Sequence, residues 1–253
     1  MEKQKGYRLF RFIRNAVEFF YPKIELCGLE NLPEEPSVLV GNHAQMNGPI
    51  IGELHLSRPR RVWCAAQMME RECVAAYAFE DFWSFKPKRV QWFYRILSHI
   101  IVPVSVAVFN NASTIPVYRD SRILTTFRRS IAALQSGEDI VIFPEHNEKH
   151  NNIVYDFQEH FIDLARMYYR KTHQALAFVP MYVAPKLKKV VYGKPTLFDP
   201  AAPIDEERER IRQYLMDSIS ALAYALPEHT VIPYRNIKKR DYPKNVPCEV
   251  IAK

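Results

Sequence analysis

The chain has 253 residues, 48% of them apolar and 13% aromatic, with 35 Lys and Arg against 28 Asp and Glu and a net charge of +7. That length and composition bury a sizeable core, most simply in one domain, and exclude a disordered tail. The basic excess is clustered near residues 3–14, 58–61, 86–89, 186–189 and 238–240, which favours an anionic partner: a phospholipid surface, a phosphorylated substrate or nucleic acid.

Residues 7–21 read as a helix with large apolar side chains and a basic stripe of Arg8, Arg11 and Arg14. Such a helix either lies in a membrane headgroup layer or packs on the domain's own core. Charge recurring from Glu2 to Lys23 argues against a secretory leader. Residues 31–36 read as a turn-like connector and 37–41 as a buried strand. A helix follows to about Leu56, with Asn47 or Gly48 near its cap and Pro49 in its first turn. A second strand is expected over 61–66 and a helix over 67–83. After the basic break Lys86-Pro87-Lys88, another helix runs over 90–99.

The longest apolar stretch, 96–109, is interrupted by Ser98, His99, Pro103 and Ser105 and is too short to span a bilayer; its part over 100–109 lines an acyl-chain tunnel, dips into a bilayer or forms plain core. Residues 114–118 read as a strand, 121–135 as a helix stopped at Ser136-Gly137, and 139–143 as a strand closed by Pro144. A helix is expected over 155–169 and a strand over 175–183, where Pro180 suggests an edge or a bulge. Asp205 is expected to cap a final helix running to about Ala225. Strand and helix alternate, so the expected class is α/β, a mostly parallel central sheet flanked by helices, with an N-terminal amphipathic helix.

Four cysteines, Cys27, Cys64, Cys73 and Cys248, lack metal-ligand spacing, and three sit in apolar surroundings. Buried thiols in a reducing compartment are expected. The pair His146 and His150 has a spacing that could hold zinc on a helix, but Pro144 and the Asn residues around it favour a loop, and no metal is expected.

Three strand ends gather polar groups: Asn42-His43, Arg119 and Glu145-His146. Open α/β sheets bind ligands at such ends, and a histidine there either moves a proton or ties down a loop. The segments Asn42-His43-Ala44-Gln45-Met46-Asn47-Gly48, Ile115-Pro116-Val117-Tyr118-Arg119, Phe143-Pro144-Glu145-His146 and Phe178-Val179-Pro180-Met181, in this order, resemble the four blocks of the glycerolipid acyltransferases. Those enzymes acylate glycerol 3-phosphate and lysophosphatidic acid.

The resemblance covers roughly residues 20–225 and implies that His43 is the general base on an acceptor hydroxyl that attacks an acyl thioester. The family's supporting Asp falls at Gly48, and Asn47 beside it offers only a carbonyl oxygen to hold the ring. Arg119 matches the arginine that binds acceptor phosphate, with a surface salt bridge as its other reading. Glu145 is kept and, with Arg119, is expected to bind the acceptor; His146, also expected at the substrate, replaces a glycine and Glu148 an arginine, so the acceptor is expected to be less anionic. Pro180 belongs to the block that shapes the pocket.

The domains implied are a basic amphipathic helix over 1–22, an acyltransferase-like domain over 23–230 and a tail over 231–253. The function implied is transfer of a fatty acyl group from acyl-CoA or acyl carrier protein to a lysophospholipid or related hydroxyl, with no cofactor beyond that co-substrate. A non-catalytic lipid-binding relative is the alternative. The expected partners are a membrane phospholipid surface and the acyl donor, not nucleic acid, for which no aromatic-basic recognition motif is present. The expected location is the cytoplasm, peripheral at the membrane.

Overall fold

The computed structural model describes residues 2–247; Cys248 and the end of the expected tail lie outside the described residues. In chain order the elements are α1 (Glu2–Phe20), β1 (Glu25–Cys27), β2 (Val38–Gly41), α2 (Asn47–Leu54), β3 (Arg60–Ala65), α3 (Arg71–Trp83), α4 (Lys88–Ile100) and α5 (Val102–Phe109). There follow β4 (Thr114–Val117), α6 (Ile123–Gln135), β5 (Asp139–Ile142), β6 (Glu145–Lys149), β7 (Tyr155–Phe157), α7 (Asp163–Thr172), β8 (Ala177–Ala184), β9 (Lys189–Tyr192), β10 (Thr196–Leu197) and α8 (Ile204–Tyr224).

The fold is α/β with mostly parallel strands, as the alternation predicts. Its residues pack into two compact units, one of residues up to 22 with 62–126, the other of 23–61 with residues from 127 onward.

In the second unit the strands run β1-β9-β8-β2-β5. The pairs β1/β9, β8/β2 and β2/β5 are parallel, and β9 and β10 are antiparallel to β8. Strands covered on both faces read as continuous apolar runs. Val38, Leu39 and Val40 of β2, Ile140, Val141 and Ile142 of β5, and all of β8 are buried accordingly. The one carboxylate at the start of β5, Asp139, is used up by the Ser37 amide at 2.8 Å and the Arg58 guanidinium at 3.1 Å. Helix α8 packs along β8. Asp205 lies within its first turn, where a carboxylate suits the helix dipole, rather than at the cap, which is Pro203.

Of the edge or bulge expected at Pro180, the edge is not found: the residue sits in β8, with strands on both sides. It falls where the neighbour of β8 changes from β10, paired at Phe178, to β9, paired from Met181, and its carbonyl accepts the Gly193 amide at 2.8 Å. The missing N–H therefore costs little at this break. The helix expected over 155–169 begins only at Asp163. Asn151 Oδ1 accepts the amides of Ile153 and Val154, a side-chain-closed turn that folds Glu145–Lys149 and Tyr155–Phe157 into a hairpin. That pairing also makes a strand of the expected loop at Glu145–His150.

Helix α6 ends as expected. Gly137 adopts φ +85°, a left-handed turn that the amides of Gly137 and Glu138 close back onto Leu134 and Ala133.

In the first unit β3 and β4 form a parallel pair, and α5 packs against α1, α3 and α4. Val102, Ser105 and Ala107 of α5 are buried, Val102 against Val74 and Ala75, while Pro103 and Val104 are exposed. Among the described residues no single helix is long and apolar enough to cross a membrane. Cys27, Cys64 and Cys73 carry free thiols and are half-buried rather than fully buried; burial pushes Cys64 up to about 12.

Candidate active site

Strand β2 lies between β8 and β5, so its carboxyl end opens inside the second unit's sheet rather than at an edge. The next residue, Asn42, is buried and acts as backbone. Its Nδ2 donates to the Val183 carbonyl at 3.1 Å, and its Oδ1 accepts the Val183 amide at 2.7 Å, which extends the β2–β8 ladder one step beyond Gly41. Asn42→Ala leaves a buried donor and acceptor unpaired and is expected to lower the unfolding free energy by about 2–3 kcal/mol, measured by denaturant titration.

His43 therefore leaves the sheet on a fixed stem. Its amide donates to Glu145 Oε2 at 2.5 Å, and its carbonyl accepts the Gly48 amide at 3.0 Å. Ala44 and Gln45 both take left-handed backbone, φ +46° and +56°, uncommon for residues with a Cβ. Strain of this kind persists where surrounding contacts enforce it, and it clusters at functional sites. The enforcing contacts are present: Asn47 closes on the Ala44 carbonyl through both its amide and its Nδ2, and Gln45 Nε2 donates to the Tyr242 hydroxyl at 2.9 Å.

The imidazole stands edge-on between Phe143 and Tyr234, each 5.6 Å between ring centres, and its Nδ1 is buried without a hydrogen-bond partner among the described residues. Desolvation by these rings pushes its pKa down to about 4, so the ring is neutral at pH 7. Asn47 Nδ2 donates to the Ala44 carbonyl, so this residue braces the loop that carries His43.

Glu145 is placed beside His43 but not for proton chemistry. Its side chain is 2% exposed, and its second oxygen accepts the Tyr155 amide at 2.8 Å. Both oxygens are thus occupied by main chain, and the carboxylate joins the chain after β2 to β7. Burial pushes its pKa up to about 7 against the pull of those two amides.

Gly48 is buried, and a Cβ there would lie 2.6 Å from the His43 carbonyl oxygen and 2.9 Å from Phe143 Cε1. The position where the resemblance requires an acid has room for no side chain.

His146, His150 and Pro180 have partners of their own. His146 turns to Asp156, 3.3 Å away, which Arg212 also engages, while His150 pairs instead with Asp217. Pro180 is enclosed in β8. Arg119 follows β4 in the first unit, exposed, where its charge acts on Asp81.

Tyr234 and Tyr242 were not legible in the sequence as site residues. They arrive because the C-terminal segment is anchored by His229, which donates from Nδ1 to the Pro227 carbonyl and accepts the Tyr182 hydroxyl at 2.8 Å. Asn245 ties the same segment to Ala223, Leu226 and the His229 amide.

No family model matches the chain, and no curated protein matches it. Among solved structures it is similar to the crystal structure of the 1-acyl-sn-glycerophosphate (LPA) acyltransferase PlsC from Thermotoga maritima, at 16% identity and a TM-score of 0.47, over 89% of this chain and 83% of that one.

Proposed function

We propose that the protein is an acyltransferase that moves a fatty acyl group from acyl-CoA or acyl carrier protein to the hydroxyl of a lysophospholipid or related acceptor, at a membrane surface. The observation that carries this reading is the state of His43: a neutral imidazole at the carboxyl end of a central parallel strand, one nitrogen unpaired, on a strained and heavily braced loop. In its neutral form the ring accepts the acceptor's hydroxyl proton as the oxygen attacks the thioester carbonyl. The proton then passes to the departing thiolate, so the thiol leaves neutral. Arg119 is the proposed contact for an acceptor headgroup.

The membrane contact is assigned first to α1. Its Phe10 is buried and Gly6 lies 3.9 Å, measured from an added Cβ, from Ala107 of α5, so one arc packs on the protein. A second arc, Leu9, Phe12, Phe19 and Phe20, is exposed beside Arg8, Arg11 and Arg14, a pattern suited to an interfacial helix.

A lipid-binding relative without turnover is the second reading. Gly48 favours it, since no carboxylate stabilises an imidazolium at His43. In the serine-protease triad, removing the acid's charge costs roughly 10⁴ in turnover. Labelled acyl-CoA and a panel of lysolipids separate the two. Transfer that falls by about 10²–10⁴ in His43→Ala supports catalysis. Lipid binding with no transfer in either protein supports the second reading.

A further inference from the structure

Helix α4 is built the wrong way out for a water-facing helix. Trp92, Ile96 and Ile100 recur every four residues, and Phe93 lies three and seven residues before the last two, so the four share one face. That face is the exposed one: all four side chains are 51–64% exposed, whereas Leu97 and Ser98 turn inward. A contiguous exposed stripe of this kind marks an interaction surface.

Its surroundings identify the partner. The helix contains no Asp or Glu, and Lys88, Arg89 and Arg95 border the stripe, with Lys86 just before it. A tryptophan among aliphatic residues with basic flanks matches the chemistry of an anionic headgroup layer over acyl chains. The helix that follows, α5, turns by 46°, and its Val102 and Val106 pack with Val74 and Ala75 of α3, which fixes α4 on the surface of the unit.

We propose that α4 docks onto an anionic phospholipid bilayer, setting Trp92, Phe93, Ile96 and Ile100 into the headgroup–acyl boundary. It thereby gives the first unit a second membrane-binding element besides α1. This inference extends the membrane contact assigned to α1 and requires no acyl transfer.

Flotation of the full chain with vesicles tests it. The wild-type protein binds vesicles of phosphatidylcholine with phosphatidylserine, and added salt or pure phosphatidylcholine weakens the binding. The doubly substituted protein Trp92→Glu/Ile96→Glu loses at least about tenfold in partitioning, the loss expected when two large apolar side chains no longer bury. Both positions are exposed, and an unchanged unfolding midpoint verifies that the variant folds. Leu197→Glu, at an exposed apolar position of the other unit, floats like the wild type, as does His43→Ala, which separates docking from turnover. Wild-type flotation by the double variant overturns the proposal. So does equal binding to pure phosphatidylcholine, or a wild-type dimer that the two substitutions dissociate, which would make the stripe a contact between copies of this chain.

Discussion

Glu145→Ala is expected to lower the unfolding free energy by about 3–4 kcal/mol, although the resemblance casts this residue in substrate binding. The side chain holds the amides of His43 and Tyr155, both in a site closed to water, and each buried donor left unpaired costs about 1–3 kcal/mol. Glu145→Gln keeps one acceptor but turns an NH₂ toward the other amide, so it recovers little. A substrate-binding role alone would leave the denaturation midpoint untouched and raise only the KM for the acceptor.

The pH dependence separates the two buried groups. Glu145 titrates near 7 when folded instead of 4.5, so its contribution to stability falls as pH rises from about 4.5 to 7. His43 titrates near 4 when folded instead of 6.5, so its contribution rises from about pH 4 to 6.5. The two trends oppose one another in the wild type. In Glu145→Gln stability should climb with pH through that window, and in His43→Ala it should decline.

Gly48→Asp is expected to cost about 3–5 kcal/mol and to bring no gain in transfer. The added Cβ meets a backbone oxygen at 2.6 Å, and that oxygen is fixed by the Gly48 amide itself. Relief requires the loop after β2 to move, taking the His43 ring out from between Phe143 and Tyr234. Gly48→Ala carries the same Cβ and should lose nearly as much, which isolates crowding from charge. A stable Gly48→Asp protein with a faster transfer rate would mean that the loop yields and that His43 lacked only its acid.

Much of this was legible in the sequence, for identifiable reasons. The runs around Val38–Val40 and Ile140–Ile142 announce strands covered on both faces, and Ser136-Gly137 announces a helix end, because each depends on local side-chain chemistry. Residues 155–169 misled because their apolar spacing fits a helix, while the deciding hydrogen bonds come from Asn151 and Glu145, which helical periodicity does not weigh. His43 and Glu145 stood out in the sequence as polar groups at strand ends, but that the carboxylate takes the His43 amide was not legible. Whether a carboxylate faces an imidazole or two amides depends on the turn after Pro144, and the sequence carries no signal for that. Nor could it reveal Tyr234, which lies 191 positions from His43 in the chain and reaches it only through the His229 and Asn245 anchors.

The pH dependence of kcat/KM for acyl transfer tests the central claim most directly, because a desolvated neutral imidazole and an ordinary one lose activity in different ranges. The account predicts a profile that stays level from pH 8 to about 5, drops near 4 where His43 takes up a proton, and vanishes throughout in His43→Ala. A profile that bends near 6.5, or one that survives removal of the ring, contradicts it.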